Sequence, residues 1–374
     1  MALSEDEVRA AIGRLRDPVL RLPLADTGML HHVRLRRGGR VEATVALPTV
    51  DYPEPEVLAE EVKAAARNLA GVQQVDVVLM PMGEGGQVAL AAHLRTSASG
   101  PATPPTSGPT GGPGGAAPPP IGHEQGRPNP FNRPGARTRL LGISSGKGGV
   151  GKSSVTVNTA LALARKGHEV AILDADVYGP SVPGMMGIRR PPMVLDEFMI
   201  PPVAFGVRCI SIGFFVADDQ PVIWRGPMLH KALEQFLVDV FWGELDYLLI
   251  DMPPGTGDVA LSMAQYLPRS EVFVVTTPQA AARRVAQRTA YMARKVHLPL
   301  AGVIENMSWF TGDDGKRYEI FGAGGGQELA DLLSVPLLGR IPLVPQLRQG
   351  GDTGVPIMVS APESEAAAAF QSIA

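Results

Sequence analysis

The sequence predicts an α/β protein with a mainly parallel, doubly wound sheet, preceded by a small α+β domain on a disordered linker. Three observations predict it. From residue 138 onward, short apolar runs alternate with stretches long enough for crossover helices, the pattern of a parallel sheet covered on both faces. One such run, residues 140–144, passes straight into a Gly-rich turn and then an amphipathic helix. Between residues 96 and 137, the run SGPATPPTSGPTGGPGGAAPPP has a composition that buries no core. The predicted divisions are therefore 1–95, 96–137 and 138–374.

Composition narrows the class. The chain has 374 residues, 45% hydrophobic and 19% charged, which is globular and long enough for more than one domain. A formal net charge of −3 gives no electrostatic basis for non-specific DNA or membrane binding. Neither nucleic acid nor membrane is an expected partner. The opening MALSEDEV is acidic and lacks an apolar core, so no signal peptide is expected. No run of 18 apolar residues suggests a transmembrane helix. The single cysteine, Cys209, excludes an internal disulfide framework and points to a cytoplasmic protein.

Ser4 and Glu7 have the spacing of a capping box, so a helix is expected from there to about Arg16. Val8, Ala11, Ile12 and Leu15 would share its buried face. Asp17-Pro18 stops it. Residues 29–36 and 40–47 alternate apolar and polar around Arg37-Gly38-Gly39, which reads as a β-hairpin. Residues 56–69 read as a second helix, with Pro55 at its start and Gly71 past its end. Residues 74–80 read as a third strand. The linker that follows would span on the order of 35 Å. It would hold the two domains at an effective concentration near the mM range without fixing their orientation.

In the larger domain the expected strands are 140–144, 170–173, 247–250, 272–275, 300–304 and 336–338. Ligands of such sheets sit at the carboxyl ends of the strands. After the first comes Gly146-Lys147-Gly148-Gly149-Val150-Gly151-Lys152-Ser153, then Ser154, which fits the phosphate-binding pattern G-x-x-x-x-G-K-[ST]. Glycines let backbone N–H groups close on phosphate oxygens with no Cβ in the way. Lys152 can reach the β/γ-phosphates, Ser153 offers a hydroxyl to Mg²⁺, and the helix beginning there points its positive end at the anion. The expected ligands are ATP and Mg²⁺.

Two further strands end in acidic segments, Asp174-Ala175-Asp176 and Asp251-Met252-Pro253-Pro254-Gly255. Asp251 is the candidate Mg²⁺ ligand beside Ser153. Asp176 is the candidate for positioning the attacking water, with Asp174 supporting the metal shell. An Asp at a strand end is also a common cap or turn residue. Two such segments in this order after KGGVGKS point to the chemistry.

Lys147 narrows the reading further. A second lysine directly after Gly146 is not needed to cradle phosphates within one chain. It resembles the deviant Walker A of the ATPases that include Mrp/ApbC, MinD, ParA, ArsA and the nitrogenase iron protein. In that family the lysine reaches across a dimer, so the resemblance implies a homodimer in which Lys147 joins Lys152, Asp176 and Asp174 in the catalytic set. DADVYGPS, DMPPGTGD, Trp224-Arg225-Gly226-Pro227-Met228 and Glu305-Asn306-Met307-Ser308 resemble the Mrp/ApbC branch specifically. The likeness runs nearly the length of the larger domain. The order of elements in residues 1–95 resembles the small domain that precedes the ATPase in many of its members. The resemblance implies that Asn306 contacts the base, and no N-K-x-D guanine reader is present. It also implies iron–sulfur cluster loading and transfer to apoproteins, with a cluster as cargo.

The sequence departs from that family at its usual cluster ligands. Members carry C-x-x-C a few residues after ENMS. Here the segment reads Trp309-Phe310-Thr311-Gly312-Asp313-Asp314-Gly315. Asp313 and Asp314 read as a turn, and Cys209, in an apolar run, reads as core. The loop after the first hairpin, Pro48 to Glu54, also lacks the cysteine that family members often have there. Two alternatives follow: a positioning ATPase like MinD or ParA, or a nucleotide-gated scaffold that binds no cluster. Against the first, residues 361–374 contain no Lys or Arg for a basic amphipathic membrane helix.

Overall fold

The computed structural model describes residues 3–99, 129–216, 226–255 and 258–374. Two compact units divide the chain. One comprises Met1–Arg127 with Met193–Ile200, and the other Pro128–Pro192 with Pro201–Ala374.

The first unit opens with α1 (Glu5–Gly13). The Ser4 hydroxyl accepts from the Glu7 amide at 3.2 Å, and the Glu7 carboxylate accepts from the Ser4 amide at 2.8 Å. The helix stops at Gly13, short of the expected Arg16, because the chain turns there around a buried carboxylate. Asp17 Oδ1 accepts from the amides of Val19 at 3.0 Å and Leu20 at 2.6 Å. Strands β1 (Leu30–Arg36) and β2 (Arg40–Leu47) form the expected hairpin, turning through Gly38 and Gly39, both at positive φ. Helix α2 (Pro55–Arg67) then crosses over to β3 (Gln74–Pro81), which runs parallel to β2. Val8, Ile12, Leu58, Val62, Val41 and Val45 are fully buried, each contributing roughly 1.5–3 kcal/mol by leaving water.

A helix that the sequence did not announce, α3 (Glu84–Ser99), closes this run. It takes the first residues of the expected linker. At the other end of that linker, Asn129 and Asn132 both donate to the Tyr266 carbonyl, at 2.9 and 2.7 Å, and Phe131 packs edge-on to Trp242. Residues 129–137 thus belong to the second unit. The core of the expected linker lies outside the described residues. The hairpin Met193–Leu195/Phe198–Ile200 counts with the first unit, where Arg95 pairs with Asp196 and Glu197. It falls within the range expected for the larger domain.

The second unit is the expected sheet. Its strands are β4 (Arg139–Ser145), β5 (Val170–Asp174), β6 (Val203–Ala204), β7 (Val207–Ser211), β8 (Tyr247–Asp251), β9 (Glu271–Thr276), β10 (Leu300–Glu305) and, later in the chain, Leu337–Arg340. In space the order is Leu337–Arg340, β10, β9, β4, β8, β5, β7, β6, parallel throughout except the β6–β7 edge. Buried strands of this kind read as continuous apolar runs, and β5, β7 and β8 are buried over almost their whole length. Helix α4 (Lys152–Arg165) follows β4, and α5 (Gly226–Asp239) precedes β8. Helix α6 (Asp258–Tyr266) follows β8, and α7 (Ala280–Lys295) joins β9 to β10. The register sets Asp251 beside both Ile143 and Asp174. The ends of β4, β8 and β5 therefore open on one place.

Candidate functional site

The turn from β4 into α4 fits only with glycine at two points. A Cβ on Gly146 would stand 2.3 Å from the Ala286 amide nitrogen of α7. Gly151 caps α4 at φ +82, and a Cβ there would meet Asn306 Nδ2 at 2.2 Å. Gly149 also has positive φ, at +79. The loop is thus held against α7 on one side and β10 on the other.

Behind it, one carboxylate gathers three donors. Asp251 Oδ2 accepts from Lys152 Nζ and from the Ser153 hydroxyl, each at 2.6 Å, and Oδ1 accepts from the Thr156 hydroxyl at 2.6 Å. Lys152 Nζ also lies 3.6 Å from Asp176 Oδ2. Lys152, Asp176 and Asp251 are all buried. Hydroxyl and carboxylate oxygens are the hard donors Mg²⁺ takes, and Ser153 with Asp251 supplies that pair. Thr156 was not anticipated. It sits one helical turn after Lys152, on the face that meets β8.

Asp174 lies beside Asp251 with both carboxylate oxygens engaged. Its carboxylate accepts from the Ser211 hydroxyl at 3.0 Å, the Asp176 amide at 3.2 Å and the Val182 amide at 3.3 Å. It ties down the loop that carries Asp176. Burial, and then the neighbouring Asp251 charge, pushes its carboxyl above the usual carboxylate range. Asp176 itself accepts the Tyr178 amide, at 3.3 Å, and lines a cavity of about 220 Å³ shared with Lys147, Gly148, Lys152 and Ser153. Lys147 Nζ donates to Gln279 Oε1 at 3.4 Å.

A larger cavity of about 520 Å³ adjoins this one, with Gly149, Gly151 and Ser154 lining both. Asn306 and Met307 line it together with Pro342, Leu343 and Val344. Asn306 Nδ2 donates to the Val150 carbonyl at 2.9 Å, which fixes which end of the amide is which. Its Oδ1 is buried with no hydrogen-bond partner. A buried acceptor left unmade is costly, and here it belongs to a residue that lines a cavity beside a phosphate loop. The apolar wall 342–344 was not read from sequence. Its residues make no periodic pattern, and they meet Asn306 only through the fold.

The segment after Ser308 forms a hairpin, β11 (Phe310–Thr311) and β12 (Arg317–Tyr318). Asp313 and Asp314 make its turn. Asp314 accepts from the Lys316 amide at 3.0 Å and the Tyr318 hydroxyl at 2.9 Å. Cys209 lies in β7 with no exposed surface, and burial pushes its thiol well up, so it stays protonated. Among the described residues no three His, Cys, Asp or Glu side chains converge as a metal cluster. Trp224 and Arg225 lie outside the described residues.

Residues 137–374 match the family described as NUBPL iron-transfer P-loop NTPase. The chain belongs to that family. Residues 5–77 match a second family, described as iron–sulfur cluster assembly protein. An iron–sulfur cluster carrier protein of Mycobacterium leprae is 41% identical over 96% of this chain and 88% of the relative. One from Synechocystis is 38% identical over 100% of this chain and 96% of the relative. Among solved structures, a nucleotide-binding protein of Archaeoglobus fulgidus in complex with ADP is 36% identical. It superposes with a TM-score of 0.52 over 58% of this chain and 86% of its own.

Proposed function

We propose that this family member is an MgATP hydrolase that works as a homodimer in the cytoplasm and moves iron–sulfur clusters to apoproteins. The observation that carries the hydrolase is the convergence of Lys152, Ser153 and Asp251 at the strand ends behind the Gly-rich turn. On nucleotide binding, Lys152 leaves Asp251 for the β/γ-phosphates. Ser153 and Asp251 would then be free to hold Mg²⁺, which would supply charge neutralisation at the phosphate oxygens. Asp176, kept in place by the loop that Asp174 ties down, orients the attacking water. Asn306 Oδ1 accepts from the exocyclic amine of adenine, whereas guanine offers an acceptor there. This favours ATP over GTP.

Lys147 has no phosphate to serve in its own chain that Lys152 does not already reach. It is assigned to the partner's nucleotide. The cluster is cargo, and the names of the relatives support it. With one buried cysteine in the chain, the sulfurs that hold it come from the partner protein or a small thiol. The first unit, matched to cluster assembly proteins over residues 5–77, is the adaptor.

The test is ATP hydrolysis, followed by ATP-dependent transfer of a cluster from a loaded donor to an apo iron–sulfur protein. Lys152→Ala loses hydrolysis and transfer. Lys147→Ala keeps nucleotide affinity within a few fold and loses hydrolysis. Parental turnover by Lys152→Ala would remove the hydrolase. Normal transfer without nucleotide would remove its coupling to the cluster.

A further inference from the structure

The strand end that carries Asn306 holds a second buried group, one that hydrolysis does not use. Glu305, the last residue of β10, has no exposed surface. Its Oε2 accepts from the Gly326 amide at 2.6 Å. Its Oε1 accepts from the Ser308 hydroxyl at 2.9 Å and from Arg340 Nε at 3.0 Å. Its backbone carbonyl accepts from the Ile341 amide at 2.8 Å and from the same Ser308 hydroxyl at 3.1 Å. A Cβ on Gly326 would stand 2.7 Å from Glu305 Cβ, so the glycine is what lets its amide approach. A carboxylate is costly to bury unless its oxygens are fully engaged, and an apolar side chain would fill this place without that cost. Here its carboxylate bonds join it to three segments, at Ser308, Gly326 and Arg340.

Two of those segments run on into the lining of the larger cavity. Asn306 and Met307 follow Glu305 directly. Pro342, Leu343 and Val344 follow Arg340 and Ile341. The two segments are laced side by side by two more bonds, Ser308 amide to Ile341 carbonyl at 2.9 Å and Leu343 amide to Trp309 carbonyl at 2.7 Å. Met307 sits at φ +57, a left-handed backbone that a non-glycine residue adopts only when its surroundings impose it. The Glu305–Ser308 bonds span that residue from both sides.

We infer that Glu305 is a positioning residue for base recognition. It clamps the 306–308 turn to the 340–344 segment, so that Asn306 and residues 342–344 keep their places in the lining of the cavity. Arg340, half-exposed, completes the clamp from outside. This rests on the nucleotide-site reading above, and it assigns the clamp to the base alone. The phosphate grip lies in the 146–154 turn and does not depend on it.

The experiment measures affinity for MgATP and for Mg-tripolyphosphate, which carries the phosphates without a base. Parent, Glu305→Gln and Arg340→Ala are compared, with thermal melts to verify folding. Glu305→Gln keeps the shape but loses the charge and puts an NH₂ donor against donors at one of the two oxygens. It weakens MgATP about tenfold and leaves tripolyphosphate within about twofold. Arg340→Ala removes one exposed donor. It weakens MgATP about threefold with tripolyphosphate unchanged, and it decides the matter if Glu305→Gln does not fold. Equal weakening of both ligands, or unchanged MgATP affinity in the folded variants, overturns the inference. A parent that binds neither ligand instead overturns the nucleotide site on which it rests.

Discussion

Asp251 is held by three donors that all arrive from the first turns of α4: Lys152, Ser153 and Thr156. Two of them are due to leave for phosphate and metal, which leaves Thr156 as the bond that keeps the carboxylate aimed throughout. Thr156→Val keeps the shape and removes that bond. The expected result is a loss of about 1 kcal/mol, roughly fivefold, in Mg²⁺-dependent ADP affinity, with Mg²⁺-free affinity unchanged, read by calorimetry with and without the metal. No change in either would make Thr156 a packing residue. The motif residues were legible because each type is demanded by its chemistry. Thr156 was not, because a threonine inside a helix carries no signal until β8 lies beside it. Asp17 shows the same limit in the first unit. It reads as a helix stop, yet it is a fully buried carboxylate that accepts the hydroxyl of Tyr52. Burial raises its carboxyl above the usual range, and the bonds from Leu20, Tyr52 and Val19 pull the other way. Its folded pKa exceeds the unfolded one, so the folded state binds more protons. Stability from this group is greatest below about pH 4 and is lost as pH rises through the folded value. Tyr52→Phe deletes one of the opposing bonds and pushes the carboxyl higher still. We expect that variant to cost about 1–3 kcal/mol of local stability, more at pH 8 than at pH 4. Hydrogen-exchange protection of residues 17–22 in the full chain reads it, and a pH-independent cost would contradict the assignment.

Among the elements, the hairpin β11–β12 stands where relatives of the Mrp/ApbC branch are expected to carry paired cysteines, and here side chains hold it instead. Glu365, in the first turn of the helix Glu365–Ile373, accepts from Arg317 Nη2 at 2.6 Å, the Thr311 hydroxyl at 3.2 Å and Trp309 Nε1 at 3.3 Å. The Arg317 guanidinium lies 4.3 Å from the Trp309 ring centroid. The carboxylate is partly exposed, so water screens the pair. Glu365→Ala should therefore cost no more than about 1 kcal/mol overall but free the hairpin locally. The readout is a red shift and increased quenching of Trp309 fluorescence in a chain with Trp224 and Trp242 replaced by Phe. An unchanged spectrum would mean that the hairpin is held by its own turn. None of this was visible in sequence, because the partners lie about fifty residues apart and meet at a surface. Six of the eight strands of the sheet, by contrast, were legible to within a residue or two, and β6 and β7 were not among those expected. Parallel strands buried on both faces must be continuous apolar runs, and a run ends where its strand ends. Helix α3 was missed for the opposite reason. It opens on Gly85-Gly86 and leads into Pro/Gly-rich sequence, so local propensity argued against a helix that tertiary packing of Leu90 and Leu94 sustains.

For the whole molecule, family membership and ligand chemistry pull apart, and the difference can be measured. Relatives across nearly the full length are named cluster carriers, yet this chain has one cysteine to offer, and two copies have two. A four-iron cluster is held by four thiolates, and carboxylates are too hard to replace them. Cys209 is held in the middle of β7, opposite Ile172 in the register, with no exposed surface and its thiol kept protonated by burial. Bringing two such sulfurs to a shared cluster would require stripping β7 from the sheet in both subunits. Burying Cys209 and its neighbours again would then have to be forgone at roughly 25 cal/mol for each Å² of apolar surface exposed. The protein alone should therefore not retain a stoichiometric four-iron cluster after anaerobic reconstitution. Visible absorption and iron counting on the parent and Cys209→Ser should agree, both without supplement and with added glutathione, because any cluster stabilised by the small thiol does not use Cys209. A four-iron cluster per dimer in the unsupplemented parent would refute this. Its loss in Cys209→Ser would show that the β7 edge opens far enough to present the one sulfur the chain has.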